Sequence, residues 1–157
     1  MNYEKKVEEF AKVASDFCLW VEGGPKNAEE EHFVATKYIA RLYLEGLELP
    51  ICEPTEDHEW SVNKDEYKRI FKRFSSLPFQ YYWEVYKPVT DEPEEPVAGD
   101  ICDDITDIYV DIKNGLTIWD KGSKVDDVFH WKTTFGFHWG DHATSALRAL
   151  HKYDFEN

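Results

Sequence analysis

The sequence predicts an all-α protein, a single-domain bundle of five or six helices. Three observations predict it. Apolar residues recur at i, i+3, i+4, i+7 spacing in separate stretches. Each stretch is closed by Gly, Pro or a capping side chain, with short connections between them. The chain has 157 residues, a length that favours one domain, here read as spanning 1–157.

Residues 3–22 place Val7, Phe10, Ala14, Phe17 and Val21 on one helical face, and Gly23-Gly24-Pro25 ends that helix. Asn27 followed by Glu30 resembles a capping box, and Phe33, Val34, Tyr38, Leu42 and Tyr43 form a second stripe running to about Glu48, before Pro50. Residues 51–61 read as an acidic loop. Asn63 and Glu66 form another cap signature, and Tyr67, Ile70, Phe71 and Phe74 follow it at helical spacing, ending near Ser75-Ser76. The aromatic segment 79–87 is β-prone, but a lone strand has no visible partner, so extended chain or a short packed helix is expected there. Residues 88–99, with Pro88, Pro93 and Pro96 among acids, read as an exposed connecting loop. Asp100 caps a fourth helix over about 101–119. Ser123 and Asp126 suggest a cap for a last helical region, 124–152, that Gly136 or Gly140 kinks or divides.

Lysine and arginine number 18 against 32 acids, a formal charge of −14. Residues 100–122 alone hold six acids and two lysines. Polyanions such as nucleic acids and anionic membranes should be repelled, and a basic protein partner, a cation or a positively charged substrate fits better. Aromatics at 16% predict a core built on large rings. The three cysteines Cys18, Cys52 and Cys102 are odd in number and form no C-x-x-C, so free thiols are expected. The opening Met-Asn-Tyr-Glu-Lys-Lys carries no apolar leader and no run reaches the ~18 apolar residues of a membrane span. A cytoplasmic protein follows.

Two constellations could carry chemistry. In the fourth helix Asp100, Asp104, Asp107 and Asp111 fall within a band of about 60°, beside a band of Ile101, Ile105, Ile108 and Ile112. Like charges at i,i+4 oppose the helix. The N-terminal dipole offsets Asp100, Asp103 and Asp104, but Asp107 and Asp111 need another partner. That partner is a hard cation, lysines and arginines of neighbouring helices, or solvent. The second constellation is His138-Trp139-Gly140-Asp141-His142, where a helix would stack the two histidines one turn apart, the spacing of zinc-binding helices. No Glu follows the first histidine, so the metalloprotease signature is absent. Asp104, Asp107, Asp111, His138 and His142 are therefore the candidate ligands of a mixed N/O site, and a divalent metal is the one cofactor left open. The aspartate stripe, bordering the apolar band, is expected to face the helix carrying the histidines. Cys102 lies among acids that raise a thiol pKa, and no Gly-rich phosphate loop is present.

The stretch Gly99–Leu116 follows the pattern G-x-x-x-D-D-x-x-D-I-Y-x-D-[IL]-K-x-G-L, and His138–His151 follows H-W-G-x-H-x-x-x-A-L-R-A-L-H. Together they resemble an uncharacterised bacterial family, a domain of unknown function. The resemblance implies a small bacterial helical protein and brings no catalytic residues with it. It does imply that the aspartate stripe and the histidine pair are family features.

Three readings follow. Charge ranks first a non-enzymatic interaction module that neutralises a basic partner, as immunity proteins do. The alternative is a metal-dependent hydrolase of phosphorylated small molecules using Asp104, Asp107, Asp111, His138 and His142. In the third, the same residues are an interhelical network and nothing more.

Overall fold

The computed structural model describes residues 3–25 and 27–156. Met1, Asn2, Lys26 and Asn157 lie outside the described residues, and with them the first two residues of the N-terminal reading. Six helices follow in order: α1 (Tyr3–Glu22), α2 (Glu31–Glu48), α3 (Lys64–Arg73), α4 (Ile101–Asp120), α5 (Lys124–Phe137) and α6 (Trp139–Glu156). Strands β1 (Tyr81–Glu84) and β2 (Val97–Asp100) lie between α3 and α4. The helical expectation holds nearly to the residue for α1, α2 and α4.

The caps show why. Asn63 accepts from the backbone N–H groups of Asp65 and Glu66, and Asp100 does the same for Cys102 and Asp103. Two expected caps take another form. The Asn27 side chain accepts from Glu29 N–H in a turn before α2, which opens at Glu31 with no side-chain cap. Ser123 donates to the Asp126 carboxylate and leaves its own helix uncapped.

The expectation for 79–99 needs correcting. Tyr81–Glu84 is a strand with a partner, pairing antiparallel with Val97–Asp100 in the register Tyr82↔Gly99 and Trp83↔Ala98. The partner escaped notice because twelve intervening residues, rich in proline and acid, separate the strands and no two-residue turn announces a hairpin. The register also has a steric cause. A Cβ on Gly99 would stand 2.4 Å from the Tyr82 ring, so only glycine lets that ring lie across the opposite strand.

One apolar cluster joins all six helices. Its largest fully buried side chains include Trp131, Trp139, Tyr109, Phe10, Phe17 and Phe74, the aromatic core that composition implied. The buried indoles are satisfied: Trp131 donates to the Ile112 carbonyl and Trp139 to the Trp131 carbonyl. Helix α4 is central, packing against α1, α3, α5 and α6. Its isoleucine band, Ile101, Ile105, Ile108 and Ile112, is fully buried. No helix of the described residues is long and apolar enough to cross a membrane.

The last helical region is two helices. The break falls at His138, whose φ of −138° and ψ of −85° leave the helical range. A Cβ on Gly140 would sit 2.1 Å from the Phe135 carbonyl oxygen, so the corner closes only because that residue is glycine. His138 still accepts from His142 N–H at 3.2 Å. The two histidines therefore keep one-turn spacing across a helix start, with ring centroids 4.9 Å apart.

Truncating the centre of the buried band tests this packing. Ile108→Ala should lower stability by about 2–5 kcal/mol, measured by denaturant unfolding. A loss under about 0.5 kcal/mol, the size of an ordinary surface change, would show the α4 core face is misassigned.

Candidate metal centre

The aspartates on α4 project into the α4–α6 seam and meet the two histidines. His138 Nδ1 donates to Asp111 Oδ2 at 2.7 Å, and His142 Nδ1 donates to Asp104 Oδ1 at 2.8 Å. His142 Nε2 stands 3.4 Å from Asp107 Oδ2. The structure thus brings all five sequence-predicted residues together. Asp100 falls outside the cluster, occupied by its cap and by a hydrogen bond from Gln80.

Burial sorts the carboxylates. Asp104 and Asp111 are 4% and 8% exposed, and each orients one imidazole. Asp104 also accepts a short hydrogen bond from the Tyr82 hydroxyl. Asp107 is half-buried between Asp103, with Tyr67 nearby, and the histidines. None of Asp104, Asp107 and Asp111 forms an ion pair with a lysine or arginine among the described residues. Their cationic partners are imidazoles alone.

The electrostatics register this shortage of positive charge. Burial raises the Asp107 carboxyl above its usual range, and the neighbouring Asp103 raises it further, against the opposing pull of His142 and His138. Burial likewise raises Asp104, against His142 and Tyr82. For His142, burial disfavours the charged ring, but Asp104, Asp107 and Asp103 outweigh it and hold its pKa above the ordinary value.

One ligand atom each from Asp107, His138 and His142 lies within 4.8 Å of the other two. Donors around an ion bound at about 2.1 Å in tetrahedral geometry stand about 3.4 Å apart, the separation of His142 Nε2 and Asp107 Oδ2. With Nδ1 of His138 committed to Asp111, Nε2 is the nitrogen left to face a ligand. Carboxylates holding the far nitrogen of each imidazole are the usual outer support of histidine ligands. Asp104 and Asp111 thus fit the outer role and Asp107 the ligand role, a division the sequence pattern did not make.

Residues 1–156 match the family described as Domain of unknown function (DUF5063). The chain belongs to this family. It is also similar to a solved structure, protein BF1032 from Bacteroides fragilis, with a TM-score of 0.80 and 25% identity over 99% of this chain and 96% of that one. No curated protein matches the chain. This DUF5063 chain is predominantly helical, and its family is a domain of unknown function, as the two sequence stretches implied.

Several residues of the site escaped sequence reasoning. Tyr82 had no signal beyond its β-prone surroundings, because its link to Asp104 depends on strand pairing. A second group of ligand-type residues, Glu56, His58 and Asp126, also went unread. There Asp126 already accepts from Thr55 N–H at 2.6 Å, the Thr55 and Ser123 hydroxyls and the His58 ring. Its oxygens are saturated, and the group staples the 51–61 loop to the start of α5. The cysteines are unpaired. The Cys102 thiol is pushed up to about 12, by burial first and by Asp100 second, which excludes it as a nucleophile near neutral pH.

Among the described residues, the Tyr82 hydroxyl and the His142 ring are the donors to the buried Asp104 carboxylate. Tyr82→Phe should cost about 1.5–3 kcal/mol, as a hydrogen bond to a charged group does, in denaturant unfolding at neutral pH. A change below about 0.5 kcal/mol would show that this hydroxyl does not hold Asp104.

Proposed function

We propose that this protein binds one divalent transition-metal ion through Asp107, His138 and His142, with Asp104 and Asp111 fixing the two imidazoles. The observation that carries the reading is the orientation of the rings: each histidine is docked by Nδ1 on a buried carboxylate. Nitrogen and oxygen donors in this mixture suit zinc, manganese, iron or cobalt. The charge balance agrees, because Asp104, Asp107 and Asp111 crowd one seam and, among the described residues, pair with two imidazoles and no lysine or arginine.

Three protein ligands leave coordination positions for water or substrate. A groove opens beside the histidines, so the second reading is a metal-dependent hydrolase in which bound water is the nucleophile. The interaction module favoured by the charge of −14 ranks below both. Net charge is a diffuse property shared by many soluble proteins, whereas the donor set is a specific geometry. Similarity to a Bacteroides protein supports a bacterial origin, and the net charge of −14 with three cysteines supports a cytoplasmic protein with no nucleic-acid partner.

Metal content by elemental analysis tests the proposal. Protein stripped with chelator, reloaded with zinc or manganese and desalted should retain about one ion per chain. His142→Gln and Asp107→Asn should each retain less than a tenth of that, and chelator should lower the wild-type Tm. Wild type that holds no ion, or a His142→Gln protein that holds as much as wild type, would leave the cluster an interhelical network.

A further inference from the structure

The groove beside the histidines has a volume of about 1010 Å³, at the upper end of the ~300–1,000 Å³ of small-ligand sites. One wall is the hairpin, with Tyr82, Trp83 and Tyr86; the other is one face of α6, including Tyr153, with Phe137 from the end of α5. Trp83 is 77% exposed and Tyr86 74%. Rings this open contribute nothing to the core, and hydration of such surface is costly.

The charges along the groove are not mixed. Asp104, Asp141, His138 and His142 gather at the start of α6, and Glu84 is close enough to act on Asp104. Arg148 and Lys152 line the groove further along the same helix. At 1.5 Å per residue they lie about 9 and 15 Å beyond His142. Lys152 pairs with Glu156, and Glu156 also feels the charge of Arg148; Arg148 is the exposed guanidinium on this face and the cationic anchor nearer the histidines. The acidic end, even with a divalent ion bound, would not attract a second anion. The Arg148 end would, since a guanidinium recognises carboxylate, phosphate or sulfonate through paired N–H donors.

We infer that the groove binds a small planar organic anion, its rings against the exposed Trp83 and Tyr86 of the hairpin and its acidic group on Arg148. Any neutral oxygen or nitrogen donor on the ligand then points toward His138 and His142. The inference rests on the metal reading for that last orientation only. Ring stacking and the Arg148 contact need no ion.

This runs against the whole-molecule charge, which makes it testable. The diffuse field of a −14 protein favours cations everywhere, so a preference for an anion must come from the groove. Three dyes separate the contributions by fluorescence titration: 1-anilinonaphthalene-8-sulfonate, N-phenyl-1-naphthylamine, which has the same rings without the sulfonate, and the cation thioflavin T. The sulfonate should bind at one site, at least tenfold more tightly than the other two. Arg148→Gln should weaken the sulfonate at least fivefold and leave the neutral dye unchanged. Trp83→Ala should weaken both. An unchanged Tm for each variant excludes loosened protein as the source of dye binding. Tighter binding of thioflavin T would overturn the proposal and suit a basic protein partner instead, and a sulfonate affinity within twofold in Arg148→Gln would overturn it too. Metal content of the same preparations reports separately: bound metal without anion preference sinks the groove alone, and anion preference without metal sinks the metal centre alone.

Discussion

The pairing of buried carboxylates on α4 with imidazoles on α6 constrains the rest of the structure. Asp104 and Asp111 are almost removed from solvent, and an uncompensated buried charge is expensive. Their compensation comes from His142, His138 and Tyr82. Removing one partner of such a pair typically costs about 3–5 kcal/mol, a large part of a domain's net stability. The neighbouring isoleucine band shares the helix, so α4 cannot bury its core face without carrying the aspartates into the seam. Core packing and polar cluster are two consequences of one helix orientation.

That orientation sets demands elsewhere. The chain must turn between α5 and α6 so that both histidines face α4, and Gly140 permits the turn by letting the Phe135 carbonyl approach. Tyr82 must reach Asp104 from a strand, which requires Gly99 opposite its ring. The hairpin that delivers Tyr82 also builds one wall of the groove, so the groove and the cluster are joined through a single tyrosine.

The fold was legible where local physics decides it. The 3.6-residue apolar period and the caps at Asn63 and Asp100 locate α1, α3 and α4, and angular arithmetic on α4 put Asp104, Asp107 and Asp111 beside the core face. The facing of α4 and the histidine helix followed from the apolar stripes together with the short connection at 120–123. The hairpin was not legible, because strand pairing is a non-local contact and the residues between Glu84 and Val97 carry loop signals only. The split of α5 from α6 was legible as a choice between two glycines; the chain breaks at His138, and the decisive contact is a carbonyl that no sequence pattern reveals. The separate roles of Asp104, Asp107 and Asp111 depend on which ring nitrogen each meets, a matter of ångströms. The groove combines a hairpin wall with one face of α6, so Arg148, though part of the H-W-G stretch, could not be assigned to a groove from the sequence.

The central claim is that this seam is a metal centre and not only a packing network. Anomalous X-ray scattering from crystals soaked in a manganese or zinc salt, recorded on both sides of the metal's absorption edge, tests it most directly. The account predicts one dominant edge-dependent peak about 2.0–2.2 Å from a carboxylate oxygen of Asp107 and from a ring nitrogen each of His138 and His142, with Asp104 and Asp111 still bonded to the opposite nitrogens. No peak at the seam, or a dominant peak at Glu56, His58 and Asp126 instead, would contradict it.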